Sequence, residues 1–205
     1  DRALHVVAQI ASGLDVAHSN NIIHRDIKPE NIIICSNTER VKITDFGIAC
    51  FQSKERLTRV GLTIGTAHYM SPEQVQDASG VDCRSDVFSL GVLFYEIVTG
   101  HKPFDSNMLS DLYLKIINDA PLPPSEYVRD ISESTEKLIL TMLEKKPVDR
   151  PQDMRQVLAA LPKSIPAWRL RTSNLSGVAC VQCGEVNTVD AKFCRRCGRD
   201  LSVKC

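Results

Sequence analysis

The chain is 205 residues long, enough for one medium domain and a small satellite, and its composition is ordinary for a globular protein: 43% hydrophobic, 24% charged, ten Gly and ten Pro. Lys and Arg together number 25, as do Asp and Glu, so no overall charge draws it towards nucleic acid or an anionic membrane. No apolar run approaches the ~20 residues of a membrane span, and no signal-peptide pattern opens the chain.

The chain starts at Asp1 and its first methionine is Met70, which reads as a fragment or a processed product. Leu4, Val7, Ile10, Ala11, Leu14 and Ala17 share one helical face, so the spacing predicts a helix over 3–18, ended by Asn20-Asn21. Ile32–Ile34 and Val41–Ile43 are short β-like runs around a polar turn, the pattern of a small hairpin. Residues 46–72 sustain no period and read as a long functional loop. A second helix is predicted over about 83–99, with Val87, Leu90, Phe94 and Ile97 inward and Gly100 as its stop. Further helical patterns cover about 107–118, 133–145 and 152–160; Pro121, Pro123 and Pro124 break the chain between the first two, and Pro151 suits the opening of the last. From Pro162 to Ala179 the pattern fades into a linker, before a cysteine cluster at 180–201. The fold class is therefore mainly α (α+β), with one β-hairpin.

The octapeptide His24-Arg25-Asp26-Ile27-Lys28-Pro29-Glu30-Asn31 lies between the first helix and the hairpin. Asp45-Phe46-Gly47 closes the second β run, and Gly65-Thr66 and Tyr69-Met70-Ser71-Pro72-Glu73 follow. In this order and spacing the segments resemble the catalytic loop, the metal-binding tripeptide and the end of the activation segment of protein kinases. The resemblance covers about residues 1–161 and implies a protein-kinase-like C-terminal lobe. Lys28, two residues after Asp26, is similar to the serine/threonine-specific branch, and the stretch Gly65–Gln74 is similar to bacterial members, in which serine often precedes the proline.

Phosphoryl transfer is mostly positioning plus electrostatic stabilisation, so it needs a base facing the incoming hydroxyl and oxygen ligands for magnesium. The resemblance implies Asp26 as that base, Asn31 and Asp45 as magnesium ligands, and Lys28 as the cation that neutralises the γ-phosphate of ATP. It implies that Thr66 supports Asp26 and Lys28 from the substrate-side loop. The resemblance implies that His24 and Asp86 belong to the scaffold, Asp86 holding amides of the catalytic loop; that it is an acid favoured by a helix N-terminus is a compatible, plainer reading. Arg150 is expected to pair with Glu73. Arg25 precedes Asp26 as in kinases switched on by loop phosphorylation, which makes Thr58 and Thr63 the candidate acceptors in the intact protein, unless they are ordinary loop threonines.

Nothing before His24 offers a Gly-rich loop, a strand lysine or its glutamate partner. The ATP-gripping N-terminal lobe is therefore expected to be missing from this chain, the face that packs on it to be apolar and exposed, and the fragment alone to be inactive or nearly so. The alternative is a degenerate, non-catalytic scaffold that recruits a partner. Retention of Asp26, Asn31 and Asp45 favours an enzyme acting on Ser/Thr-bearing proteins in the intact parent.

Three of the eight cysteines, Cys35, Cys50 and Cys83, are scattered singly, as small buried thiols of a reducing compartment such as the cytoplasm would be. Cys180-x2-Cys183 and Cys194-x2-Cys197, each followed by glycine, have the spacing of a four-thiolate zinc site. They resemble the short zinc ribbon of many bacterial multi-domain proteins. Four thiolates leave no open coordination position, so the zinc would be structural; two disulfides or an iron–sulfur site are the rivals. Lys192, Arg195, Arg196 and Arg199 form a basic patch, read as a solvated face before a partner or nucleic-acid site, and Cys205 stands outside the repeat.

Overall fold

A computed structural model of the chain describes residues 2–35, 39–46, 64–77, 80–162, 178–179 and 186–187. The chain forms two compact units, Asp1–Ile165 and Pro166–Cys205. In the first, the elements run α1 (Arg2–Ser19), a 3-10 turn (Pro29–Asn31), β1 (Ile32–Ile34), β2 (Val41–Ile43), α2 (Ile64–Ala67), α3 (Pro72–Gln76), α4 (Cys83–Thr99), α5 (Leu109–Asn118), α6 (Glu133–Met142) and α7 (Met154–Ala160). β1 and β2 pair antiparallel in the register Ile32–Ile43, Ile33–Lys42 and Ile34–Val41, the hairpin expected from the sequence.

The core gathers around α4, which packs against α1 and α6 while α1 also packs on α7 and β2. Every residue from Ser85 to Tyr95 is buried, so α4 runs through the interior rather than lying on it. Phe88, Leu90, Phe94 and Tyr95 are fully buried there, each worth about 1.5–3 kcal/mol of transfer free energy. The inward face of α1 is as predicted at Val7, Ile10, Ala11, Leu14 and Ala17. Gly91 lets α6 approach closely: a Cβ there would stand 2.8 Å from that of Met142. Asp82 caps α4 by accepting from the Arg84 amide, and Gly100 ends it at φ 73, in the left-handed region glycine enters without a Cβ penalty.

Four expectations need correction. Ile97 is 40% exposed, because α4 leaves the core in its last turn. α6 stops at Met142 instead of about 145; Pro147 disfavours helix at the residue before it, and the chain turns to bring Arg150 back into the core. Pro151 does not open α7: Asp153 is the N-cap, accepting from the Gln156 amide at 2.8 Å. The predicted loop over 46–72 contains the helical turn α2 and runs into α3. α3 carries a capping box, Ser71 with Gln74, and Pro72 in its first turn.

In the second unit, β3 (Val178–Ala179) pairs antiparallel with β4 (Val186–Asn187), so the last two residues of the predicted linker are strand. Cys180 and Cys183 fall between these strands in the sequence. The four cysteines of the proposed zinc site, with Cys205, Lys192, Arg195, Arg196 and Arg199, lie outside the described residues. No helix among the described residues is long and apolar enough to cross a membrane. Ile33 and Ile34 of β1 are 49% and 43% exposed.

Candidate active site

The segment after α1 leaves the helix through Asn21, at φ 58, and enters the interior at His24, which is fully buried. Its imidazole joins two loops. Nε2 is 2.8 Å from the Thr44 carbonyl, which can only accept, so the proton sits on Nε2; Nδ1 then accepts from the Asp26 amide at 3.3 Å. The Phe46 ring meets it edge-on at 4.8 Å between centroids. His24 thus fastens the Asp26 turn to the strand end that carries Asp45.

Arg25 has φ 66 and Asp45 has φ 56, both left-handed conformations that cost a non-glycine residue about 1–3 kcal/mol. Around Arg25 the offset is visible. Asp86, fully buried on α4, accepts from the His24 amide at 2.8 Å and from the Arg25 amide at 2.7 Å. The Arg25 carbonyl accepts from Gln74 Nε2 at 2.8 Å, which ties the turn to α3. His18 Nε2 also reaches Asp86 Oδ2 at 2.8 Å. Asp86 therefore serves the turn directly; the N-terminal cap of α4 is Asp82. The sequence carries no signal for the part His18 plays here. Gln74 was legible there as the fourth residue of a Ser-x-x-Gln capping box.

Asp26, Lys28 and Asn31 come together. Asn31 Nδ2 donates to the Asp26 carbonyl at 2.7 Å and to its carboxylate at 3.0 Å. Lys28 Nζ lies 2.9 Å from Asp26 Oδ2 and 3.4 Å from Thr66 Oγ1, so Thr66 does stand beside this pair. The Thr44 amide donates to the Asn31 carbonyl at 2.9 Å, leading from the Asp26 turn to Asp45, whose side chain is exposed. An amide oxygen and a carboxylate from adjacent loops are a donor set for a hard divalent cation, so Asn31 and Asp45 fit magnesium. Gly47, Thr58 and Thr63 lie outside the described residues.

Glu73 and Arg150 form the scaffold pair. Arg150 Nη1 and Nη2 meet Glu73 Oε1 and Oε2 at 2.8 and 2.9 Å, a fork-to-fork pair. Ser85 Oγ donates to the same carboxylate at 2.6 Å. Burial alone would push the Glu73 carboxyl up; the hydrogen bonds from Arg150 and Ser85 outweigh it and hold the carboxyl below its ordinary range. Next to this pair, Lys145 caps the end of α5 through the Ile116 carbonyl at 2.7 Å and lies 3.8 Å above the Phe104 ring. Burial lowers the Lys145 ammonium to about 8.

The buried Tyr69 donates a hydrogen bond from its hydroxyl to Glu96, and burial followed by that acidic partner pushes the phenol far up. Ser89 Oγ reaches the Tyr69 carbonyl at 2.7 Å, so the segment after α2 is anchored on α4.

Residues 1–160 match the family model described as protein kinase domain. Among known proteins the chain is 42% identical over 161 residues to a "Probable serine/threonine-protein kinase" of Clostridium acetobutylicum, covering 78% of this chain and 24% of that protein. It is 41% identical over 162 residues to serine/threonine-protein kinase PknB of Mycobacterium tuberculosis, 78% of this chain and 26% of that one. It is 40% identical over 169 residues to serine/threonine-protein kinase pkn3 of Myxococcus xanthus, 78% and 31%. The chain thus spans a quarter to a third of the length of these curated relatives. It belongs to the protein kinase domain family, and the three relatives named above are bacterial proteins named as serine/threonine-protein kinases.

Proposed function

We propose that the protein of which this chain is part transfers the γ-phosphate of ATP to serine or threonine hydroxyls of protein substrates. One observation carries the reading: Asp26, Lys28 and Asn31 hold one another within hydrogen-bonding distance, on a turn whose amides are fixed by the buried Asp86. Asp26 accepts the proton of the attacking hydroxyl as its oxygen bonds to the transferred phosphorus and the bond to the leaving diphosphate breaks. Lys28, already paired with Asp26, neutralises charge on the transferred group, and Thr66 supports Lys28 from the substrate side. Magnesium, held by Asn31 and Asp45, would supply neutralisation of the phosphates. His24 and Asp86 keep the turn in its left-handed shape, and Arg150 with Glu73 locks the segment behind it. In the same reading Arg25 serves activation by phosphorylation at Thr58 or Thr63. The Gly-rich loop and strand lysine would be supplied upstream of this chain, and the chain alone would transfer little or no phosphate.

The second unit we read as a structural zinc ribbon held by Cys180, Cys183, Cys194 and Cys197, with a protein partner. The pairing of β3 with β4 on either side of the first CxxC in sequence supports it, since a knuckle needs such a turn. Four thiolates stay competent for zinc in a reducing compartment, which suits the cytoplasm.

The test begins by sequencing the transcript upstream of the Asp1 codon and expressing the whole open frame. Phosphate transfer from ATP to a Ser/Thr peptide is then compared in wild type and Asp26→Asn. Loss of about 10²–10⁴-fold in Asp26→Asn with an unchanged unfolding midpoint is the expected result. Transfer that survives Asp26→Asn, or none by the wild type, rejects the reading in favour of a non-catalytic scaffold.

A further inference from the structure

His68 is 4% exposed, a buried imidazole just after α2. Its Nε2 lies 2.9 Å from Asp105 Oδ1 and its Nδ1 3.4 Å from the Gly65 carbonyl. Asp105 sits in the connection between α4 and α5 and is largely exposed apart from this contact. The hydrogen bond from His68 holds the Asp105 carboxyl below its ordinary range, so it is an ionised acceptor at neutral pH. The Asp105 carbonyl in turn accepts from Lys115 Nζ of α5 at 2.7 Å. Two residues before His68, Thr66 Oγ1 meets Lys28 Nζ, and Lys28 meets Asp26. A continuous line of contacts therefore runs from α5 through Asp105 and His68 to the segment beside the proposed base. On the kinase reading, Gly65 and Thr66 stand on the side from which the acceptor hydroxyl reaches Asp26.

Resting on the kinase reading, we propose that His68 and Asp105 form a strut that positions residues 64–67 for the acceptor protein, and so govern its binding rather than the chemical step. The division between binding and chemistry follows from the contacts. Lys28 meets Asp26 at 2.9 Å and Asn31 donates to Asp26 through contacts that do not pass through Thr66. The groups at the phosphoryl end hold one another; the acceptor side loses its support.

The experiment compares wild type, Asp105→Ala, His68→Ala, the double variant and His68→Gln in the protein encoded by the whole frame. Asp105→Ala and His68→Ala raise KM for an acceptor peptide about five- to tenfold, with kcat and KM for ATP within about twofold. The double variant is no worse than either single, because both remove one interaction. His68→Gln, which keeps an N–H for Asp105, recovers most of the loss. Unchanged peptide KM, or an equal fall in kcat with every substrate, overturns the proposal. If the wild type transfers no phosphate, the kinase reading is what fails, and the strut is judged by amide hydrogen exchange. The Tyr69 and Met70 amides, bonded to the Thr66 and Ala67 carbonyls, then exchange about tenfold faster in Asp105→Ala than in wild type. Equal rates there overturn it.

Discussion

Replacing Arg150 with alanine is expected to lower the unfolding midpoint of the first unit sharply. All five N–H donors of its guanidinium are engaged: Nε to the Glu144 carbonyl at 2.6 Å, Nη1 to Glu73 and the Arg84 carbonyl, Nη2 to Glu73 and the Lys145 carbonyl. The guanidinium carbon also stands 4.9 Å from the Phe88 ring centre. Its side chain is fully buried and that of Glu73 is 15% exposed. Alanine thus leaves a mostly buried carboxylate with Ser85 as its remaining side-chain donor and strands three carbonyls. Breaking a buried pair from one side costs about 3–5 kcal/mol, and for a unit of this size each kcal/mol moves the midpoint by about 2–4 °C. The expected fall is therefore about 6–20 °C, read by far-UV circular dichroism and by urea unfolding. Arg150→Lys should fall between, since an ammonium keeps the charge and loses the fork. Joining Arg150→Met to Glu73→Gln should recover part of the loss, because no charge is then stranded. A midpoint for Arg150→Ala within about 2 °C of wild type would refute the reasoning, as would a double variant whose loss is the simple sum.

Three other outcomes follow from the same contacts. Gly91→Ala puts a methyl group 2.8 Å from Met142 Cβ, and overpacking of this kind costs about 1–3 kcal/mol in urea unfolding; a neutral variant would mean that α4 and α6 separate freely. Lys145 is lowered from 10.5 to about 8 in the folded state by burial, so the unfolded chain binds more protons between those values and folding gains stability as pH rises through that window. Subtracting the pH profile of Lys145→Met from that of wild type should isolate this rise, and a flat difference between pH 8 and 10 would contradict it. Purified protein should carry one zinc per chain by atomic emission, and Cys183→Ser or a strong chelator should release it and unfold the second unit while the first keeps its midpoint; absence of zinc with intact free thiols would reject the ribbon.

Local chemistry was enough to place α1, the hairpin and α4 with its Gly100 stop, and the resemblance to protein kinases singled out the residues gathered around Asp26. Helical and strand periods report which face of a segment is apolar, and the kinase-like segments are contiguous in the chain, so both can be read from neighbours. Even the capping box at Ser71 was written there. What the tertiary structure decided are the partnerships across long separations: Asp86 with the His24 and Arg25 amides, Arg150 with Glu73, His68 with Asp105. The first two were reached through family resemblance, and the third had no signal, because an isolated histidine and an isolated aspartate carry no spacing to read. Periodicity also failed where packing overrides it. α4 is buried on all sides until Ile97 emerges, and α6 ends early so that the chain can turn Arg150 onto Glu73. A local pattern records what each residue prefers; which distant group satisfies a buried charge depends on how the helices close around it, and closure is a property of the whole chain.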